Sequence, residues 1–309
     1  MGNDDRGFAL IMTLWVMVFL VVIVTSFALN SRWSLESTTN FKEETEAYYL
    51  ALSGYDLALD FLMNDADMQI DYIDGEGRVH ADKDHQAVGG RVSLFGGDVE
   101  IRITDEQSKW NINILPQDKL RQLLRYVGVA EDVQDELSDS LMDWIDPDAL
   151  HHVKGAEDEY YREFGYRAKN KPLDTVEELL LVKGFSEDLL YGSERYQALS
   201  PYITVHGNNL LNVNTVSPEF MRMLGVSEID IENVLSYRDT DSGGLTQVPS
   251  GLVGFGINAT MSSMLRVEVS AAVREGGVRY VITAVVRRIP AGQGFKLETV
   301  SWRENVLYS

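Results

Sequence analysis

One uncharged apolar run, Phe8 to Leu29, constrains this chain more than any other feature. No side chain in FALIMTLWVMVFLVVIVTSFAL ionises, and the run matches the ~20 residues that a helix needs to cross a hydrocarbon core. Its few hydroxyls, on Thr13, Thr25 and Ser26, can be paired to the helix's own carbonyls. Everything after it is water-soluble in character. The run therefore predicts a chain held to a membrane by its N-terminus, with the remaining mass on one side. A secretory signal has a shorter apolar stretch followed by a small-residue cleavage site, and neither is present. Lys and Arg are nearly balanced at the two ends, with Arg6 before the run and Arg32 after it, so positive charge does not orient the span.

The rest of the 309 residues suffices for one large domain or two modest ones. A net charge of -21 repels phosphate backbones and anionic lipid heads, which argues against nucleic acid as a partner. The chain has no cysteine, which excludes disulfides, thiolate zinc sites and a cysteine nucleophile.

No proline interrupts 31–63, and Phe41, Ala47, Tyr48, Leu52, Tyr55, Leu59 and Leu62 recur at roughly helical spacing. This predicts one long helix, half in lipid and half packed on a soluble domain, stopping at Asn64-Asp65-Ala66-Asp67. Residues 71–86 read as loop. Two alternating runs, Arg91–Phe95 and Val99–Thr104, read as a hairpin turning at Gly96-Gly97. From Gln107 to Asp239 the texture is helical. Helices are predicted from Pro116 to Gly128, over Glu131–Ile145, over TVEELLLVKG, from Ser217 to Gly225 and over Glu228–Arg238. Two helix–glycine–helix units in this block have the form used to bind DNA phosphate, but their turns are ringed by carboxylates and read as packing hairpins. Strand texture returns after Ser250, with runs joined at Glu275-Gly276-Gly277 and a further run over Gly294–Trp302. The fold class predicted is α+β: an N-terminal helix on an antiparallel sheet, with an α-helical domain inserted between strands.

The segment DWIDPDALHHVKGAEDEYY concentrates Asp143, Asp146, Asp148, Glu157 and Asp158 around a helix end. A bound hard cation would relieve their repulsion, and oxygen-only ligands in a flexible loop suit Ca²⁺. The spacing is not that of an EF-hand. His151 and His152 read as solvated bystanders. No nucleophile elbow, Walker loop or His-Glu-x-x-His motif is present, so an enzyme is not expected.

The segment RGFALIMTLWVMVFL resembles the signal of type IV prepilins and pseudopilins, which a prepilin peptidase cuts between a glycine and an aromatic residue, here Gly7 and Phe8. It departs from the common pattern at the fifth mature position, where Met12 replaces the usual Glu. Farther along, WNIN, LMDWIDPD, GAEDEYY, NKPLDTVEELLLVKGF, LSPYITVHG and LLNVNTVSPEFMRML resemble the K-type minor pseudopilin family of the type II secretion system, in which that Glu is also absent. The resemblance implies a leader over 1–7, a span over 8–29, a pilin-like helix and first strands over 30–106, an inserted α-domain with two SAM-like parts over 107–239, and pilin-like strands over 240–309. It further implies a place at the tip of a periplasmic pseudopilus, anchored in the bacterial inner membrane. The implied partners are I-type and J-type minor pseudopilins and the major pseudopilin. Calcium in the α-domain is implied at Asp143, Asp146, Asp148, Glu157 and Asp158. The alternatives are a minor pilin of a type IV pilus, a membrane-anchored metal-dependent hydrolase, and a DNA-uptake receptor that the acidic charge disfavours.

Overall fold

The computed structural model describes residues 4–64, 71–73, 79–80, 87–238, 243–291 and 294–308. Helix α1 (Asp4–Met63) is continuous over 60 residues, roughly 90 Å at 1.5 Å per residue. Its first part is apolar all round, with a best window of mean hydropathy 2.7 of which none is buried. The Thr13 and Thr25 hydroxyls donate to the carbonyls of Leu10 and Val21 at 2.9 and 2.8 Å, so they ask nothing of the surroundings. The expected stop at Asp65-Ala66-Asp67 lies outside the described residues, as do 1–3, 74–78, 81–86 and Asp239.

The second part of α1 packs on a five-stranded antiparallel sheet ordered β12-β11-β10-β5-β4, built from β4 (Gly90–Leu94), β5 (Gly97–Asp105), β10 (Met264–Ala272), β11 (Arg279–Ala291) and β12 (Gly294–Leu307). Ala47, Leu50, Ala51, Tyr55, Ala58 and Leu62 are buried against alternate residues of the sheet, among them Val99, Ile101, Val267, Val269 and Ile282. The expected stripe is narrower than this contact. Tyr48, Leu52 and Leu59 only flank it, and Phe41 is 72% exposed. The sheet reaches up α1 no farther than Glu43, which Arg274 meets at 2.7 Å.

Three short strands, β1 (Tyr72–Ile73), β2 (Val79–His80) and β3 (Ala87–Val88), form a small antiparallel sheet where loop was expected; two-residue pairings leave no periodicity to read. The hairpin between β4 and β5 turns one residue earlier than expected. Leu94 pairs with Gly97, leaving Phe95 and Gly96 as turn residues with φ of 50° and 85°. Gly97 is in the strand, where only glycine fits, since a Cβ there would fall 2.4 Å from a Leu50 methyl.

Between β5 and β10 lies the insert: β6 (Trp110–Asn111), α2 (Gln117–Tyr126), α3 (Glu131–Ile145), α4 (Asp158–Tyr161), α5 (Glu187–Tyr191), β7 (Ile203–Thr204), β8 (Leu211–Asn212), α6 (Pro218–Leu224), α7 (Glu228–Arg238), α8 (Ser250–Val253) and β9 (Ile257–Ala259). It has its own core, running from Trp110 to Ile257. The helical part thus closes near Ile257 rather than at 239, because β9 pairs with β8 and Leu252 packs in the same core. Helix α6 starts as expected, with Ser217 Oγ accepting from the Phe220 amide at 3.1 Å. The segment TVEELLLVKG is not an α-helix but 3-10 turns over Val176–Leu181. Here the Glu178 carboxylate folds back onto the Asp174 amide and Lys169, which tightens the turn.

The direction of packing fixes where the insert lies. Leu50 meets Gly97 at the start of β5, Gly54 meets Val99 and Val269 in mid-sheet, and the insert leaves at Asp105, paired with Leu265. The insert therefore emerges at the end of the sheet remote from the apolar span. Gly54 is required by this packing, since a Cβ there would sit 2.6 and 2.8 Å from methyls of Val99 and Val269. Replacing Gly54 by Val, despite the better helix propensity, is expected to lower stability by roughly 1–3 kcal/mol through overpacking. A thermal melt showing an unchanged or raised midpoint would contradict this packing.

Candidate functional site

Two regions carry the sequence-derived site residues. The first is the start of α1. Gly7 and Phe8 lie within the continuous helix, and the side chains of Phe8 and Met12 are exposed at 70% and 60%.

The second is the loop after α3. The last turns of α3 are amphipathic, so Leu137, Leu141 and Trp144 point into the insert's core. Trp144 stacks edge-on against buried Tyr161 at 4.9 Å and donates to Glu178 at 3.1 Å. Asp143 sits on the neighbouring line of the same helix and is buried. Pro147 lies just past the helix end, and the chain doubles back over α3.

Three staples hold that return. The His152 amide donates to Asp143 Oδ1 at 3.0 Å, and the Lys154 amide donates to Asp139 Oδ2 at 3.1 Å. Lys183 Nζ donates to the carbonyls of Lys154 and Gly155 at 3.1 and 3.3 Å. Only glycine fits at 155, where a Cβ would lie 1.8 Å from Asp143 Oδ2.

The doubling-back brings Asp143, Asp146 and His152 together, with one potential ligand atom from each lying within 4.8 Å of the others. Glu157 is buried nearby, and among the described residues neither of its carboxylate oxygens has a hydrogen-bond partner; the same is true of Asp146 Oδ1. Burial is the main cause that raises the carboxyls of Asp146 and Glu157 above their ordinary range. Mutual repulsion adds to it, from Asp148 and Asp143 on Asp146, and from Asp143 and Asp146 on Glu157. Buried carboxylate oxygens without donors are costly unless something positive meets them. The donor set is rich in oxygen and suits a hard divalent cation.

The remaining expected residues face elsewhere. Asp148 is exposed and its Oδ1 accepts from the Leu150 amide at 2.8 Å, closing the turn. Asp158 Oδ1 accepts from the Ala168 amide at 3.1 Å, bracing the loop that follows. His152 is not a bystander: its Nδ1 lies 2.5 Å from Asp143 Oδ1, and that bond raises its pKa. The adjacency of two histidines concealed this, because only the loop's fold separates their roles. His151 stays exposed, with Nδ1 on the His152 carbonyl.

Comparison with known proteins converges on one family. A family model described as Type II secretion system (T2SS), protein K matches residues 103–208, which include the carboxylate loop. Type II secretion system protein K of Klebsiella pneumoniae is 28% identical over 241 residues, covering 72% of this chain and 70% of the relative. The Pseudomonas aeruginosa protein of the same name is 28% identical over 258 residues, covering 77% and 74%. Among solved structures, the fold matches GspK in the GspK–GspI–GspJ complex of enterotoxigenic Escherichia coli with a TM-score of 0.62 at 18% identity, over 87% of this chain and 99% of that one. In sequence this chain is thus similar to type II secretion system protein K, and in fold to the matched chain of the GspK–GspI–GspJ complex.

Proposed function

We propose that this chain is the K-type minor pseudopilin of a type II secretion system. It would sit at the tip of the periplasmic pseudopilus and start or cap its assembly for protein export across the outer membrane. The observation that carries this reading is the placement of a bulky insert at the end of the sheet remote from the apolar span. An insert there leaves α1 free to line up with neighbouring subunits while it obstructs addition beyond. The relative of known structure is in a complex with GspI and GspJ, which supports I-type and J-type minor pseudopilins as partners, with the major pseudopilin forming the shaft below. Met12 fits the same place, since a terminal subunit has no neighbour above to offer an amine to a carboxylate. A type IV minor pilin and a membrane-anchored hydrolase are not favoured, because the relatives are protein K of type II secretion.

Anchoring by Phe8–Leu29 in the inner membrane and removal of 1–7 by prepilin peptidase belong to this reading. Protein taken from native membranes is expected to begin at Phe8. Intact mass showing a chain that still starts at Met1, or one cut after the span, would exclude processing of this kind. A second expectation concerns assembly. The part from Arg32 onward should co-purify with the soluble parts of I-type and J-type minor pseudopilins from the same system as a single species in gel filtration. Elution of the three as separate monomers would count against the tip complex.

Within the insert, Asp143, Asp146 and Glu157 are the residues that would hold Ca²⁺, with Asp148 and Asp158 shaping the loop around them. The unpartnered buried oxygens support this. Calcium would screen the repulsion that burial imposes and lock the loop to α3. Ca²⁺ at a hundredfold over its Kd should stabilise the chain by about 2.7 kcal/mol relative to chelator. The sign with pH follows from the raised values at Asp146, Glu157 and His152. What these groups contribute to the metal-free chain is present below their ordinary pKa values and lost as pH rises through the raised ones. The gap between the calcium and chelator melting curves should therefore widen as pH rises from the ordinary carboxylate range through these raised values. Glu157→Gln should melt no lower than wild type in chelator and lose most of the calcium increment. An increment that survives in Glu157→Gln would remove this residue from the site.

A further inference from the structure

The sheet face turned away from α1 meets the insert across a cleft of about 340 Å³. Strand register sets its sheet wall. Arg266 stands opposite Val285, which stands opposite Ser301, and one row along Thr283 stands opposite Arg303. Lys109, just after β5, and His206 of the insert line the same cleft.

Charge at the floor does not balance. Glu106 is fully buried and meets Arg266 Nε at 2.7 Å, and it also accepts from the Thr204 hydroxyl. Lys109 feels that same carboxylate only at a distance, and no carboxylate oxygen of any described residue lies within 4 Å of its ammonium. Two cations thus share one anion. Burial holds Lys109 below the ordinary lysine range, the mark of an ammonium short of counter-charge. At the mouth, Arg303 reaches Glu177 at 3.2 Å in a half-exposed pair that water already screens. The hydroxyls of Thr283 and Ser301 make no hydrogen bond to another described residue, so they are available as donors.

We propose that this cleft binds a small oxyanion, a carboxylate or phosphate group, with Lys109 as its principal partner and Arg303 at the entrance. The cleft wall's own carboxylates, Asp174 and Glu177, are engaged by Lys169 and Arg303, and a half-buried ammonium with no ion-pair partner among the described residues is costly to keep. An oxyanion answers it, and the donors on several walls suit a group with several oxygens rather than a monatomic ion. The cleft would take a single acidic group, such as the side chain or terminus of a peptide, and not an extended surface.

Titration calorimetry on the full chain in non-ionic detergent tests this, at constant ionic strength and without added calcium, using succinate and methyl phosphate as probes. Saturable binding of either is expected, and which probe binds identifies the source as carboxylate or phosphate. Lys109→Met should weaken it about tenfold, while Lys109→Arg retains it. Arg303→Gln, at the exposed rim, should weaken it about threefold and decides the matter if circular dichroism shows that Lys109→Met misfolds. The absence of saturable heat with both probes would overturn the proposal. So would affinity unchanged in Arg303→Gln and in a folded Lys109→Met.

Discussion

The buried ion pair between Arg288 and Asp71 joins the two halves of this protein. Arg288 Nη1 meets both carboxylate oxygens at 2.7 and 2.8 Å, and the side chains are 1% and 0% exposed. Such a pair adds little net stability over an apolar equivalent, but losing one partner typically costs about 3–5 kcal/mol, because it strands the other charge. The consequence is positional. Asp71 also accepts from the Ser262 amide at 2.6 Å, and its carbonyl accepts from Asn212, whose amide further reaches Asp105 and Ser262. Strand β11, the segment after α1, the insert's β8 and the return into β10 thereby converge on one polar knot. Asp105 in that knot is pushed up to about 6, chiefly by burial, while hydrogen bonds from its neighbours oppose the shift. A buried network that ties these four segments together fixes one orientation of the insert on the sheet.

Helix α1 joins an all-apolar segment to a packed one along one continuous backbone. Its N-terminal part, a candidate membrane span, has no polar periodicity, and its hydroxyls bond inward. From Ala47 onward one face narrows to small residues and Gly54, which lets the helix settle directly on strand side chains. Between these regimes, Trp33 and Phe41 remain exposed at 63% and 72%. Among the described residues no strand lies beneath that stretch, and only Tyr308, just past β12, stands beside it.

Acidic charge is handled differently in different places. On the surface it is dispersed and screened. After α3 it is concentrated and desolvated, and the loop is held down by amide donors and Lys183 rather than by neutralising its carboxylates. The fold thus keeps Asp146 and Glu157 poorly matched, which is the arrangement a hard cation stabilises most.

The apolar run, the proline-free continuation, the alternating strands and the helices α2, α3, α6 and α7 were legible in the sequence, because each is written in local periodicity or in a residue that starts or stops an element. The α+β layout followed from their order. The sequence also marked Asp143, Asp146, Asp148, Glu157 and Asp158 as chemically unusual by their density alone, without separating Asp148 and Asp158, which turn to loop amides. It determined neither the 3-10 turns over Val176–Leu181 nor the closure of the insert near Ile257. Glu178 is drawn back by Lys169, and β9 is held by β8, and neither partner leaves a local pattern. Tertiary structure alone decided that Phe41 lies outside the core, that His152 rather than His151 reaches Asp143, and that Lys109 shares a carboxylate with Arg266. Each of these depends on which distant segment the fold brings alongside, and burial by a distant segment carries no signature in the residues on either side.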